Sequence, residues 1–229
     1  MKTAACFEMM RLASPALPIG GFSYSQGLEA AIDIGWVSDE DSLITWLRDC
    51  LSANIGQFEA PLFWALAHAQ RRDAQRECSR LNKLYLASRE SAELLAETRQ
   101  MGFSLLRLIA GRTVSGGNQR QAQQLLDTNT VCSLPWAWAI AADALQLNPD
   151  QALNAYLWSW SENQIAAAIK AVPLGQQSGQ RVMDTIASQL SSTAAQAPGL
   201  PADQWSNFAP GFAIASCVHE TQYSRLFRS

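Results

Sequence analysis

Three side chains close to one end of the chain could do metal chemistry: Cys217, His219 and Glu220. Imidazole and thiolate suit nickel, and two copies of such a pair would raise the donor count. On a helix, however, residues two apart point to different sides, so the plainer reading is an apolar cysteine beside a hydrogen-bonded histidine. The other histidine, His68, falls near a predicted helix end as a surface or cap residue. With two histidines in all, one chain cannot build a multi-histidine centre, and no Glu-x-x-His pair suggests a di-iron bundle.

Other chemistries find less support. No glycine-rich turn runs into Gly-Lys-Ser/Thr, so the chain has no phosphate cradle of its own. Gly20-Gly21 before a helix could offer N–H groups to an anion, but as a lone signal this is weak and a structural turn is the plainer reading. Neither histidine stands in a motif that would activate a nucleophile. Lys170 ends a nearly neutral helix, where a cation complements the dipole; its small neighbours also leave it open to a partner. Trp136, Trp138, Trp158 and Trp160 could form the aromatic wall of a ligand pocket.

These residues must be held by helices, because no segment alternates apolar and polar residues at period two. The expected fold is all-α, a single-domain bundle of about ten helices spanning residues 1–229. Leu43, Trp46, Leu47, Cys50 and Leu51 make one helical stripe. Pro61 opens a further helix, and Asp73 caps the next. Arg89 and Glu93 are spaced to pair along a helix. Residues 111–118 form a break, and Asn148-Pro149 opens a long helix ending before Pro173. From Thr185 to Val218 the only formal charge is Asp203, which reads as a central core layer or as a covered surface.

Charged residues make up 16% of the chain, too little to coat every face, so burial against a partner or a second copy is expected. A formal net charge of −3 argues against nucleic acid. No run reads as a membrane span, and the start lacks the pattern of an export signal. Five scattered cysteines, an odd number, fit a reducing cytoplasm. The tail 219–229 mixes Tyr223, Leu226 and Phe227 with Arg225 and Arg228, the composition of an interface anchor, though a tail folded back on its own domain would explain it as well. Nothing within it fixes one conformation, so it is expected to be mobile until covered.

Three stretches carry a resemblance: Leu12 to Glu29 (LASPALPIGGFSYSQGLE), Lys170 to Gln176 (KAVPLGQ) and the ending His219 to Ser229 (HETQYSRLFRS), with Met101-Gly102 between them. In this order they resemble the UreF family of urease accessory proteins across almost the whole chain. Val218 stands where members commonly carry arginine. The resemblance implies a non-enzymatic, cytoplasmic chaperone of nickel insertion that forms a homodimer and joins UreD (also called UreH). The GTPase UreG then docks, and the assembly delivers nickel to apo-urease. It also implies that Tyr223, Ser224, Arg225, Leu226, Phe227, Arg228 and Ser229 contact UreD, and that Tyr24, Glu29 and Lys170 lie on the face presented to UreG. No tightly bound cofactor is implied; nickel would pass transiently. Two alternatives stay open at this point: a direct nickel carrier through Cys217 and His219, and a helical small-molecule-binding enzyme.

Overall fold

The structure is a computed structural model that describes residues 3–112 and 116–229. Among them there are eleven α-helical segments and no strand. Two of these segments are fused, so the fold has ten helices, in agreement with the sequence expectation. Within the break expected at 111–118, residues 113–115 lie outside the described residues.

Helix α1 (Thr3–Ala13) stops before Pro15, and a loop with left-handed Gly20 and Gly27 leads to the short α2 (Leu28–Asp33). A Cβ on Gly27 would lie 2.9 Å from Ser216 Oγ, so this glycine lets α2 approach the last helix. Neither Ser23 nor Ser25 is the N-cap residue of α2; Gly27 is. Ser25 still contributes, because its Oγ accepts the Glu29 N–H at 3.3 Å.

Asp39, one residue beyond Ser38, caps α3 (Glu40–Asp49) in a reciprocal box with Ser42. The predicted stripe is buried throughout. From Cys50 to Glu59 the rod continues as a π-helical segment, and α4 (Ala60–Arg71) follows without a break. Pro61 therefore does not start a separate helix. Its missing N–H would have left the Gln57 carbonyl unpaired, and that carbonyl accepts the Ser206 N–H at 3.1 Å instead. The π segment also aims Glu59 inward, where it is 4% exposed.

Helix α5 (Gln75–Ala87) is preceded by Asp73 in the left-handed region, and Ala74 occupies the cap position assigned to Asp73 from sequence. Then come α6 (Ala92–Ala110), α7 (Gly117–Asp127) and α8 (Leu134–Ala144). Every residue of α8 from Leu134 to Ala142 is buried, and the helix is packed between α4, α6 and α7. A helix apolar on all sides belongs at the centre. Helix α9 (Pro149–Ala171), capped by Asn148 and Gln151, packs on α1, α4 and α10 (Gln176–Gln196). The last helix, α11 (Pro210–His219), lies against α2.

The stretch from Thr185 to Val218 is therefore not the central layer. Most of it is exposed, including Phe208 (79%) and Ile214 (52%). Lack of charge was misread as apolarity, since the outer positions of α10 carry Ser, Gln and Ala.

Gly102 marks the closest approach in the core. A Cβ there would lie 2.2 Å from the Cys132 carbonyl oxygen and 2.9 Å from the Ser133 carbonyl carbon. The loop cannot retreat easily, because Asn82 accepts the Ser133 N–H and donates to the Val131 carbonyl, both at 2.9 Å. Thr98 Oγ1 further accepts the Leu134 N–H at 2.9 Å. Gly102→Ala should therefore cost about 1–3 kcal/mol as an overpacking change. Urea denaturation followed by circular dichroism measures it, and a loss below about 0.5 kcal/mol would show that the loop yields.

Candidate functional site: the docked tail and the cleft beside it

The C-terminal tail is not free. Phe227 is 6% and Ser229 2% exposed, whereas Tyr223 is fully exposed and Leu226 is 69% exposed. What fixes it lies elsewhere in the chain, which is why its own residues predicted mobility. Glu29, projecting from α2, accepts the Leu226 N–H at 2.6 Å and the Phe227 N–H at 2.9 Å. The same carboxylate lies 3.2 Å from His219 Nε2, while His219 Nδ1 lies 2.6 Å from Glu93 on α6. Arg225 closes the ring by donating to the other Glu93 oxygen.

The root is tied down as well. The Glu220 carboxylate accepts the Ala92 N–H at 2.6 Å and the Glu93 N–H at 3.3 Å, joining Ser91 in capping the first turn of α6. At the tip, the Ser229 carbonyl accepts the Ser25 N–H at 2.8 Å, and the Arg228 N–H reaches the Ser23 carbonyl at 2.8 Å. Ser229 Oγ meets Glu97 at 2.6 Å.

Glu97 also borders a cleft of about 110 Å³ whose lining includes Met101, Trp138, Trp160, Glu59 and Tyr156. Its second oxygen accepts from Gln26 at 2.7 Å, and the Gln26 carbonyl accepts the Trp160 indole N–H at 2.9 Å. Burial, opposed by the Ser229 and Gln26 hydrogen bonds, pushes the Glu97 carboxyl up to about 7. Deeper in, Glu59 accepts the Tyr156 hydroxyl at 2.5 Å and lies 3.5 Å from Arg89, whose guanidinium also sits 4.1 Å over the Tyr85 ring. Burial raises both tyrosine hydroxyls above their ordinary range.

Arg89 therefore does not pair with Glu93. It precedes the first residue of α6, so helical spacing does not bring the two together, and each finds a distant partner. Nor do the four tryptophans share one wall. Trp138 and Trp160 line the cleft, whereas Trp158 borders a separate groove with Met9 and Met10.

Tyr24 and Glu29 lie inward, each 6% exposed, while Lys170 is on the surface with its ammonium 5.6 Å from the Phe227 ring centre. Phe22, Ser23, Lys170, Leu226, Phe227 and Arg228 line a shallow hollow, so the tail and Lys170 form one surface. Cys217 and His219 are separated. Cys217 is exposed, with its thiol 3.6 Å from the Glu90 carbonyl, whereas His219 is fully buried with a carboxylate at each ring nitrogen. Among the described residues no three His, Cys, Asp or Glu side chains are grouped to hold a metal. His68 is half-buried against Trp64, and burial together with Arg72 lowers its pKa. No helix among the described residues is long and apolar enough to cross a membrane.

Glu29, His219 and the tail could be read as separate motifs; the ring they form could not, because it depends on α2, α6 and α11 meeting. Residues 37–187 match the family model described as UreF. The chain is 49% identical over 232 residues to the urease accessory protein UreF of Dechloromonas aromatica, with both chains covered in full. It is 48% identical to that of an Azoarcus species, covering 97% of this chain and 94% of the relative. For Ectopseudomonas mendocina the identity is 46%, covering 97% and 98%.

Proposed function

The chain belongs to the UreF family of urease accessory proteins, and from this premise we propose that it is a non-catalytic adaptor for nickel insertion into urease. Its tail docks UreD, its Lys170 face receives the GTPase UreG, and the assembly acts on apo-urease in the cytoplasm. The observation that carries this reading is the division within the tail. Phe227 and Ser229 are buried as anchors, while Tyr223 and Leu226 project outward, exposed among the described residues. Large apolar side chains on a pinned backbone suit a docking element, because little conformational freedom is lost on binding.

The hollow beside Lys170 and Arg228 offers two cations to an acidic partner surface, which would steer association and fix register. Tyr24 and Glu29 contribute from below, by holding the segment that forms the hollow. A homodimer would use the outer face of α11 and the loop before it, where Phe208, Ile214 and Val218 are exposed in an almost uncharged stretch. Nickel would pass through the assembly without a tight site on this chain, in keeping with the engaged nitrogens of His219.

Co-purification with UreD and then UreG tests the reading, comparing the full chain with one ending at Gln222 and with Lys170→Glu. Truncation should abolish UreD capture while light scattering still reports a dimer. Lys170→Glu should keep UreD and lower UreG capture about tenfold, the equivalent of roughly 1.4 kcal/mol. Normal capture of both partners by the truncated chain would place the interface elsewhere.

A further inference from the structure

We propose that the cleft beside the tail is a binding site for a small organic cation of the alkylated-ammonium kind, one that also carries an oxygen acceptor. Aromatic rings and carboxylates share its wall, and among the described residues lining it there is no Lys, Arg or His. Trp138 and Tyr156 meet at a right angle, their ring centres 5.3 Å apart, and form a corner of the cleft. Trp160 adds a third ring, oriented by the bond from its indole N–H to Gln26 at 2.9 Å. Rings attract a cation through their negative faces, and quaternary ammonium groups are the guests that such cages recognise.

The charge around the cleft is unbalanced in the same direction. Glu59, from the π segment, is offset by Arg89 at 3.5 Å. Glu97 on α6 and Glu162 on α9 have no ion-pair partner among the described residues, and Arg89 reaches Glu97 only at longer range. Ser229, which closes the tail side, brings a hydroxyl and its terminal carboxylate but no cation.

The hydrogen bonds narrow the class of cation. Glu97 already accepts from Gln26 and Ser229, and Glu59 from Tyr156 beside Arg89. A primary ammonium or a guanidinium, which must place several N–H donors, would find the deep acceptors engaged. An alkylated ammonium has few or no such donors to place and keeps its charge, so the rings and the field suit it. The wall also holds a donor without a partner: Trp138 is 1% exposed and its indole N–H is unpaired. An oxygen on the ligand would satisfy it and remove the cost of an orphaned buried donor. At about 110 Å³, with about 10–15 Å³ for each water-sized group, the cleft has room for roughly seven to ten such groups. Phe22, 67% exposed, and the half-buried Glu162 stand on its solvent side.

Choline is the probe, because it fits that size and has a neutral isostere with a tert-butyl group in place of trimethylammonium. The full-length chain is titrated at about pH 8, above the value of about 7 to which burial pushes the Glu97 carboxyl. Choline should shift the Trp138 and Trp160 indole N–H resonances saturably, with half-saturation at about millimolar concentration. The neutral isostere, and ethanolamine with its primary ammonium, should each bind at least about tenfold more weakly. Trp160→Leu should weaken choline binding about tenfold by removing a ring, and Glu162→Gln severalfold by removing charge at the mouth, in chains that circular dichroism shows to be folded. Absence of saturable shifts, equal binding of the neutral isostere or of ethanolamine, or native choline affinity in either folded variant would each overturn the proposal.

Discussion

Arg89→Met should lower the unfolding free energy by about 3–5 kcal/mol. The guanidinium and its partner Glu59 have side-chain exposures of 5% and 6%, so neither can turn to water when the other is lost. Removing Arg89 leaves Glu59 with the Tyr156 hydroxyl as its remaining side-chain partner in this network, and takes the cation from above Tyr85. For a chain of this length each kcal/mol corresponds to about 2–4 °C, so a thermal melt should move down by roughly 6–20 °C. The double replacement Arg89→Met with Glu59→Leu should recover much of that loss, because the cost lies in the uncompensated charge rather than in the pair's own attraction. If the single replacement costs less than about 1 kcal/mol, Glu59 takes up a proton or water reaches it, and the network is not the buried ion pair described above.

The same network shows where sequence reasoning stops. Periodicity made α3 and α9 legible, because Leu43, Trp46 and Leu47, or Leu153, Tyr156 and Leu157, recur at helical spacing and are buried as that spacing requires. Local chemistry also located the Asn148-Pro149 helix start. What periodicity could not reveal is where a lone polar residue finds its partner. Arg89 was assigned to Glu93 by spacing, yet the turn at residues 88–91 sends one to Glu59 and the other to His219. Pro61 pointed to a helix start, since the π segment that absorbs it is specified by packing against Thr193 and by the Ser206 bond, both remote in sequence. The tail failed in the opposite direction. Its composition correctly marked an unusual terminus, but its anchors are on α2 and α6, and no pattern within eleven residues could name Glu29, Glu93 and Glu97 as their receptors.

Those anchors lead to the second large effect, which should appear in the tail rather than in the melt. Glu29→Ala removes one carboxylate that accepts the Leu226 and Phe227 amides and faces His219. Hydrogen bonds to a charged acceptor are worth about 1.5–3 kcal/mol each, so three lost together exceed what the remaining contacts of a seven-residue segment can hold. The tail can escape into water, as Glu59 cannot. Global stability should therefore fall by only about 1 kcal/mol, while exchange protection of the Leu226 and Phe227 amides drops at least a hundredfold. Partner capture should fall with it, by about tenfold or more, because Tyr223 and Leu226 would then have to be ordered at the moment of binding. Glu29→Gln keeps one acceptor oxygen and should lie between the two. A chain carrying Glu29→Ala that keeps its tail amides protected would mean that the Ser229 and Glu220 contacts suffice, and Glu29 would lose its positioning role. One that loses protection but binds UreD with native strength would show that the partner needs the tail's side chains and not its docked geometry.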